Sequence, residues 1–500
     1  MLHSLLRIFR LLLSVVAVAL LVRPAPAQTA APEGGGPVLT LDEAIRLALQ
    51  RNKLLKVSGF YPKIARANLL VARGAFDPAI VLSRTYSSSQ FATSDSGIPV
   101  VDASKVDYYS AGLTGLLPTG TVYTVSGSTV EYREIFNGTQ KTFDTAEQFS
   151  VTQPLLNGFG FSYNLEGVRV AKANRTIQDL TFRLSAIATV TNVVIAYSNL
   201  QLAHDQLNAA NESQALAASL VAENEKEYKI GSISKSDVIQ ARANRAVYDE
   251  PIVIAERAVR DAQNQLRELI GEEVFLEDEP LFTLAPVAVP DVVVDRREDL
   301  RRAFANRPDY EQARLGIYQN KAREAYAANA LLPTVNLNAA YGYEGVSDSF
   351  YTSRQMAENR QNPTTAIGLS VNIPLSFAVG RGNMRAARLT REQSEENLKS
   401  MEADIAVAVA TADGQIETSR KRVEVDRASY ALAKQALDAE EKKKKAGQSS
   451  TLYVVQEQQL VNQVENSISN ALAAERQAVA IYDQTLGTTL ERYSIKLAND

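Results

Sequence analysis

Cysteine and tryptophan are absent from this 500-residue chain, and histidine occurs only twice. Without cysteine there is neither a disulfide framework nor a lipid-modified N-terminal cysteine. His204 is the one histidine beyond the first few residues, so the sequence offers no His/Cys cluster for a transition metal. We therefore expect no metal, no cofactor and a fold that is insensitive to oxidising conditions.

Patterns that carry enzyme chemistry are also scarce. Ser232-x-x-Lys235 matches a short serine hydrolase pattern, but it falls in an expected exposed turn. Gly158-Phe-Gly160 lacks the third glycine of a dinucleotide-binding loop. His204 lies on a predicted helix. A solvated residue or a residue of the helix seam is a simpler interpretation of it than a catalytic base. We predict that the protein is not an enzyme and has no catalytic residues.

The N-terminus has the form of a secretory signal. Arg7 and Arg10 precede an apolar run from Leu11 to Val22, and Ala25-Pro-Ala27 has the small-x-small form of a cleavage site. The run is shorter than the ~20 residues that span a bilayer as a helix, so a retained anchor is the minor alternative. We expect a signal peptide over 1–27 and a flexible leader over 28–38.

The chain after residue 27 is acidic and lacks long apolar runs. Removal of the signal takes away three arginines and changes the formal net charge from −4 to −7, which makes nucleic acid an unfavourable partner. No later stretch approaches 18 apolar residues, so no transmembrane helix is expected. Tilted β-strands of a barrel remain compatible with this sequence.

The sequence is internally duplicated. Gly231 and Gly271 have counterparts at Gly447 and Gly487, both 216 positions later, and Pro154 has a counterpart at Pro374. The order of the elements is preserved, so a whole structural unit was copied. This predicts a first repeat, an acidic and proline-interrupted connector, a second repeat and a C-terminal tail, at 39–272, 273–296, 297–490 and 491–500.

Each repeat changes from an alternating β pattern to a helical pattern. The first β segment is longer than its copy by about one hairpin, with a turn signal at Pro118-Thr-Gly120. The predicted β segments are 76–156 and 333–376, and the predicted helical hairpins are 160–271 and 382–487.

The helical segments have coiled-coil spacing. From Ile405 to Leu437, seam residues alternate steps of four and three. Leu165–Tyr228 would be a helix of 64 residues, about 96 Å long at ~1.5 Å per residue. In the return segment, Pro251 should kink the helix or alter its hydrogen bonding.

The ends of these helices carry the candidate site residues. Gly231 and Gly447 should adopt the left-handed conformation that ends a helix and reverses the chain. Asp237 fits an S-x-x-D cap of the return helix, with a channel role as the alternative. Four residues mark the bends from strand to helix: Pro154, Gly158, Gly160 and Pro374.

Several segments resemble the bacterial outer membrane efflux protein family, the TolC-like outer membrane factors. They are the opening LTLDEAIRLALQRN, the segment FSVTQPLLNGFG at 149–160, Tyr228-Lys-Ile-Gly with Asp237-Val, and the duplication itself. Together they cover essentially the whole chain after residue 27. The order and spacing of these motifs are more specific than any one of them.

The resemblance implies an α+β membrane protein with an outer-membrane location in a Gram-negative bacterium. A homotrimer would build one β-barrel from the β-hairpins of each protomer and a periplasmic tunnel from the coiled-coil helices, with the connector in an equatorial girdle. It would act as the passive exit duct of an efflux or type I secretion system. Its partners would be a periplasmic adaptor, an inner-membrane pump of the RND, ABC or similar class, and outer-membrane lipid.

The second hairpin tip departs from the family pattern. Well-studied members carry aspartates six and nine residues after its glycine, which constrict the entrance, whereas this chain has Tyr453 and Gln456. The aspartate ring is not carried over, and stacked tyrosines are one candidate for closure. Four lysines precede Gly447, and we interpret them either as solvated partners of the helix dipole or as an adaptor-docking or entrance charge: Lys442, Lys443, Lys444 and Lys445.

Two other classes of protein share part of this pattern. A coiled-coil structural or adhesin-like envelope protein would have the heptads but would not need β-hairpins at matching places in two repeats. A periplasmic adaptor would not normally duplicate its helical hairpin. For the duct, 12 strands per trimer are expected if the extra hairpin is a loop or cap and 18 if it joins the barrel. We place this extra segment, with its PTGT turn, beyond or into the barrel wall at the extracellular side.

Overall fold

The computed structural model describes residues 38–95, 98–135, 139–271, 283–285 and 287–497. The expected signal peptide lies outside these residues, as do almost all of the leader and the first part of the connector. In chain order the elements are β1 (Val38–Leu39), α1 (Leu41–Arg51), α2 (Lys53–Ser58), α3 (Phe60–Gly74), β2 (Ala79–Asp95), β3 (Ile98–Leu116), β4 (Val122–Ile135), β5 (Thr139–Pro154), α4 (Phe161–Asn164), α5 (Glu166–Lys229), α6 (Lys235–Val247), α7 (Asp249–Ile270), β6 (Thr283–Leu284), α8 (Arg296–Asn306), α9 (Pro308–Ala330), β7 (Thr334–Ser347), α10 (Phe350–Glu358), β8 (Pro363–Asn372), α11 (Ala378–Lys445), α12 (Thr451–Leu486) and α13 (Thr489–Arg492).

Six strands form one antiparallel sheet in the order β2-β3-β4-β5-β7-β8. The two repeats meet between β5 and β7, where Thr145 lies opposite Gly345. The extra hairpin of the first repeat, β3–β4, is paired along its length with β2 on one side and β5 on the other. It is therefore part of the wall of the sheet and not a loop beyond it.

The expected position of the PTGT turn is wrong. The turn joins β3 to β4 beside the start of the helices, where the Gly160 N–H donates to the Thr119 carbonyl oxygen at 2.9 Å. The reason is that successive strands run in opposite directions. β3 returns toward the helices before β4 leaves them again, so this turn lies at the helical end of the sheet.

The sheet has one apolar face and one polar face, because successive side chains of a strand point to opposite sides. Cross-strand register assigns exposed large apolar side chains mostly to one face, named here the apolar face: Ile80, Leu82, Tyr86, Tyr109, Leu113, Val125, Phe149, Leu337, Tyr341, Ile367, Leu369 and Val371. The opposite polar face carries mostly small and hydroxyl or amide side chains, for example Ser110, Ser128, Ser150, Asn338 and Ser370.

Helix α10 lies against the apolar face across the β5–β7 seam. Its Ser353 hydroxyl is 2.6 Å from the Thr145 hydroxyl and 2.9 Å from the Gly345 carbonyl oxygen. A Cβ on Gly345 would lie 2.0 Å from the Ser353 carbonyl oxygen, so only glycine permits this approach. The rings of Phe143 and Phe350 pack edge to face at 6.1 Å. This helix is not among the elements that the sequence predicts.

The long helices follow the heptad prediction closely. α5 has 64 residues, the predicted length, and begins and ends one residue later than predicted. In α11 most of the predicted seam is buried, including Ile405, Val409 and Ile416, whereas Asp426 and Tyr430 are not fully buried. The return helix of the first repeat is interrupted at Tyr248, three residues before Pro251. The proline thus lies in the first turn of α7, where a missing N–H is tolerated.

Among the described residues, one helix, α5, is long and apolar enough to cross a membrane by length and composition alone. Half of its most apolar window is buried inside the protein. Tyr197 and Leu200 of this helix are almost fully inaccessible and pack with residues of α1 and α7. Such burial is typical of the core helix of a protein domain.

The second repeat buries a carboxylate that is poorly compensated. Asp413 on α11 is 2 % exposed, and neither of its oxygens accepts a hydrogen bond from the described residues. The nearest cationic atom is the Nε of Arg296, 3.8 Å away. Burial, and secondarily the charge of Asp299, raises the pKa of Asp413.

We expect Asp413→Asn to stabilise the protein at neutral pH. An acid whose pKa is raised by folding does not affect stability below its unfolded pKa. Its destabilising effect grows as pH rises from the unfolded to the folded pKa and is constant above that. Buried polar atoms without a hydrogen-bond partner cost about 1–3 kcal/mol, so we expect a gain of this order at pH 8 that vanishes near pH 4. Apparent melting temperatures by circular dichroism across this range check the prediction. Asp404→Asn, an exposed change on the same helix, is the control, and an equal response of both variants would contradict it.

Candidate functional site at the hairpin tips and strand-to-helix bends

Both long helices end at a glycine in the left-handed region. Gly231 has a φ of 78° and Gly447 a φ of 73°. Past each glycine, the next N–H returns to the helix: Ser232 N–H donates to the Glu227 carbonyl oxygen and Gln448 N–H to that of Lys443, both at 2.9 Å. These bonds satisfy carbonyl groups that a helix end leaves free. The two tips therefore share the same backbone conformation and hydrogen-bond pattern.

The return helices begin differently in the two repeats. In the first, Ser234 and Asp237 form a reciprocal capping box, with Ser234 N–H donating to Asp237 Oδ2 at 3.1 Å. In the second, Tyr453 stands at the position that answers Asp237, and no side chain caps the helix. Asp237 is thus occupied as a cap, whereas Tyr453 and Gln456 are exposed on the protomer.

A buried polar cluster joins the two hairpins just behind their tips. Its centre is Asn224 of α5, which is fully buried. The Asn224 amide nitrogen donates to Thr451 Oγ1 of α12 at 3.0 Å, and its oxygen accepts from Lys444 Nζ of α11 at 3.0 Å. Lys444 Nζ also lies 3.6 Å from Glu227 Oε2 and 3.8 Å from Glu223 Oε2. We name these five residues the tip cluster.

The tip cluster lies next to an apolar layer shared by both hairpins. Leu220 of α5 and Ala241 of α6 pack with Leu437 of α11 and Val454 of α12. The cluster adds specific hydrogen bonds to this otherwise non-directional contact. Separation of the hairpins would leave Asn224 and Lys444 without these partners.

The four lysines before Gly447 do not act alike. Lys444 is only 7 % exposed in its side chain and belongs to the tip cluster. Lys442 pairs with Asp438 at 2.6 Å, and Lys443 pairs with Glu440 at 3.0 Å. A hydrogen bond from Ser449, followed by the one from Lys443, lowers the pKa of Glu440. Lys445 is exposed and has no ion-pair partner in the described part of the chain. The interpretation that all four are solvated is therefore wrong for Lys444.

The first strand-to-helix bend is built by glycines and asparagines. Gly158 and Gly160 have φ values of 90° and 93°. Gly158 N–H donates to Asn329 Oδ1 at 2.8 Å, and the Asn164 amide donates to the carbonyl oxygens of both glycines at 2.8 and 3.0 Å. A Cβ on Gly120 would lie 2.2 Å from the Gly158 carbonyl oxygen, so the β3–β4 turn also needs glycine.

The prolines lie at the ends of the strands that feed the long helices. Pro154 is the last residue of β5, and Pro374 lies between β8 and α11. In the second bend, Phe377 takes the left-handed conformation with a φ of 50°. The two bends are therefore made with different residues although the repeats are related.

The residues with enzyme-like patterns are not gathered into one site. Ser232 and Lys235 are exposed on either side of the first tip turn. His204 lies half-buried on α5, where burial lowers the pKa of its imidazole. Within the described residues, no group of three or more His, Cys, Asp or Glu side chains could hold a metal ion.

Sequence reasoning missed the tip cluster. Asn224 lies in the buried seam of α5, and a buried asparagine in a coiled-coil seam is the signal that could have drawn attention to it. The spacing of residues along one helix could not reveal that Lys444 lies beside Asn224, because the two are 220 positions apart.

Comparisons with known proteins agree with this architecture. The sequence profile "Outer membrane efflux protein" matches residues 44–272 and 300–488. The chain is 26 % identical over 235 residues to the outer membrane efflux protein BepC of Brucella suis biovar 1 (strain 1330), covering 46 % of this chain and 48 % of BepC. It is 24 % identical over 276 residues to the outer membrane protein TolC of Escherichia coli (strain K12), covering 53 % of this chain and 54 % of TolC. These matches span about half the length of each relative.

Solved structures share the fold over almost the whole chain. The outer-membrane channel OprN superposes with a TM-score of 0.64 at 15 % identity, covering 90 % of each chain. The open state of the MtrE outer membrane channel of Neisseria gonorrhoeae gives a TM-score of 0.64 at 18 % identity, covering 90 % of this chain and 89 % of MtrE. The profile match spans well over half of the sequence and both repeats. The chain therefore belongs to the outer membrane efflux protein family, whose members reside in the outer membrane of Gram-negative bacteria.

Proposed function

We propose that this protein is the outer-membrane exit channel of a tripartite efflux or type I secretion system. It conducts substrates passively and performs no catalysis. The observation that carries the proposal is a six-stranded sheet with one apolar and one polar face, two unpaired edges, and helices of 64 and 68 residues leading away from it. At ~1.5 Å per residue these helices are about 100 Å long.

The open edges of the sheet support a ring of protomers. A six-stranded sheet has too few strands to close alone, because the smallest membrane barrels have about eight. β2 and β8 run antiparallel to each other at the two edges, so β8 of one protomer can pair with β2 of the next. This head-to-tail contact closes into a ring by rotation. Three protomers give a barrel of 18 strands, with the polar face lining the lumen.

The hairpin tips are the proposed contact with the energy-supplying partners. They lie at the far ends of α5 and α11, away from the strands that enter the membrane. We assign this end to the periplasmic adaptor and the inner-membrane pump, which is of the RND, ABC or a similar class. Lys445 is exposed and contributes positive charge there, whereas Lys442 and Lys443 pair with Asp438 and Glu440.

Closure of the entrance relies on the tip cluster in this proposal. Tyr453 and Gln456 carry no charge and cannot supply the acidic ring that the family resemblance implies. The tip cluster instead holds the two hairpins of one protomer together through Asn224 and Lys444. Stacked Tyr453 side chains from three protomers would narrow the same opening.

Conductance and electron microscopy of the detergent-purified protein test the proposal. We expect discrete conductance steps in planar bilayers, and a threefold hollow cylinder longer than about 100 Å with 18 strands in its barrel. A solid rod without conductance would contradict the channel and would favour a coiled-coil structural protein of the envelope. A hollow trimer with 12 strands would retain the channel but refute the proposed place of β3–β4 in the wall.

A further inference from the structure

Three basic residues form a row across the central strands of the sheet. Lys105 of β3 lies directly opposite Arg133 of β4, and Arg133 lies directly opposite Lys141 of β5. Directly opposed residues of an antiparallel pair point to the same face. This face also carries Tyr109 and Phe143, so the row belongs to the apolar face.

The row is electrostatically unfavourable by itself. Like charges placed directly opposite each other on neighbouring strands destabilise a sheet. Glu131 is the one carboxylate that pairs with the row among the described residues, at 2.6 Å from Arg133 and 3.6 Å from Lys141. Lys105 has no ion-pair partner in the described part of the chain. The row thus keeps an excess positive charge, with the Lys141 side chain 51 % exposed.

The neighbouring acidic residue, Asp107, is already paired with Arg84. Asp107 is 3.1 Å from the guanidinium of Arg84, which also stacks over the Tyr109 ring at 5.2 Å. The pair of Arg84 and Asp107 is neutral as a whole, so it leaves the excess charge of the row unchanged. An additional anion would have to come from outside the sheet.

The height of the row coincides with the boundary of a membrane. From Val122 to Arg133, β4 advances 11 residues, or about 36 Å at ~3.3 Å per residue. With a strand tilt of ~40° this is about 28 Å along the barrel axis, compared with an apolar band of ~25 Å. With the apolar band taken to begin at Val122, the row lies just beyond the band, at the end far from the helices. The edge-to-face pair of Phe143 and Phe350 lies beside it.

We propose that Lys105, Arg133 and Lys141 form a binding site for the phosphate groups of a phosphorylated glycolipid of the outer leaflet. The site rests on the outer-membrane location and the barrel of the proposed function. Lys and Arg side chains bind phosphate oxygens through charge-assisted hydrogen bonds. The apolar face below the row accommodates the acyl chains, and α10 flanks the lipid. The bound phosphate neutralises the positive charge of the three basic residues that the single carboxylate of Glu131 does not balance.

Native mass spectrometry of the full-length protein in detergent tests this site. The probes are bis-phosphorylated lipid A and the same lipid after removal of its phosphates. We expect the protein to retain the phosphorylated form preferentially. The triple change Lys105→Gln, Arg133→Gln and Lys141→Gln should weaken its binding roughly hundredfold, because each basic residue near an anionic lipid surface contributes about one factor of five.

Two further variants make the test decisive. Lys442→Gln, Lys443→Gln and Lys445→Gln together remove the same charge at the opposite end of the molecule and should leave lipid binding unchanged. Glu131→Gln should strengthen binding of the phosphorylated lipid several-fold, because it removes a negative charge beside the row. This expected increase in affinity still tests the site if the variant that changes Lys105, Arg133 and Lys141 does not assemble. Equal binding of both lipid forms, or weaker binding by Glu131→Gln, would overturn the proposal.

Conductance measurements test the proposed channel function independently of the lipid site. The variant that changes Lys105, Arg133 and Lys141 to glutamine should conduct like the unchanged protein, because these three side chains face away from the lumen. A protein that binds the phosphorylated lipid but forms no channel would refute the proposed function and leave the lipid site standing. A conducting protein that does not distinguish the two lipids would refute the site alone.

Discussion

Lys444→Glu is expected to open the periplasmic end of the channel. The change replaces a buried ammonium by a carboxylate beside Glu223 and Glu227 and leaves the Asn224 oxygen without its donor. Lys444 is buried, but the side chains of Glu223 and Glu227 are 41 % and 28 % exposed, so solvent screens part of this ion pair. We expect a cost of about 1–3 kcal/mol, mainly from the unpaired Asn224 oxygen. The cluster bridges α5 and α11, so this cost favours separation of the two hairpins. We expect a several-fold increase in single-channel conductance.

Matched variants distinguish the cluster from general charge effects. Lys445→Glu makes the same chemical change one residue later, on an exposed side chain, and should change conductance far less than Lys444→Glu. Adding Glu227→Lys to Lys444→Glu restores an ion pair with reversed polarity and should lower conductance again. If Lys444→Glu and Lys445→Glu behave alike, the tip cluster does not hold the entrance closed.

Cysteine pairs at the two edges of the sheet should convert the protein into a covalent trimer. The natural chain has no cysteine, so every disulfide formed would come from the introduced residues. One cysteine on the polar face of β2, at Val81, Ser83 or Thr85, is combined with one on β8, at Ala366, Gly368 or Ser370. For the pairs in register, we expect oxidation to shift nearly all protein to trimer mass in non-reducing denaturing gels, because every protomer is linked to both neighbours.

The geometry of the ring supplies the controls. A single cysteine on either edge strand should remain monomeric, because β2 never meets β2 in a head-to-tail ring. A pair at Ser83 and Ser128 should also remain monomeric, since β4 is central in the sheet. Covalent dimers from a single cysteine on β2 would indicate a face-to-face contact and would refute the proposed ring.

The helical part of the fold could be predicted from sequence because its signals are local and repeated. The alternation of steps along α11 identified buried residues such as Ile405 and Ile416, and the glycines marked both tips. These signals follow from helix geometry and from the conformational freedom of glycine, neither of which requires knowledge of distant residues.

The parts that could not be predicted depend on contacts between distant residues. Lys444 looked like one of four equivalent lysines, and its burial follows only from the packing of α11 against α5. The place of β3–β4 in the sheet required the pairing partners on both sides. Helix α10 begins within a polar segment, and its position follows from Gly345, whose missing side chain lets Ser353 approach.

The inserted hairpin has a consequence for what can leave the cell. Barrel diameter grows roughly in proportion to strand number, so in the proposed ring of 18 strands β3 and β4 would widen the exit without adding a helix to the tunnel. In that ring the bottleneck for large cargo would be the helical conduit and its entrance, and the pore mouth at the cell surface would impose no stricter size limit. Mutations that enlarge the mouth should not broaden the range of exported molecules, whereas those that widen the tunnel should.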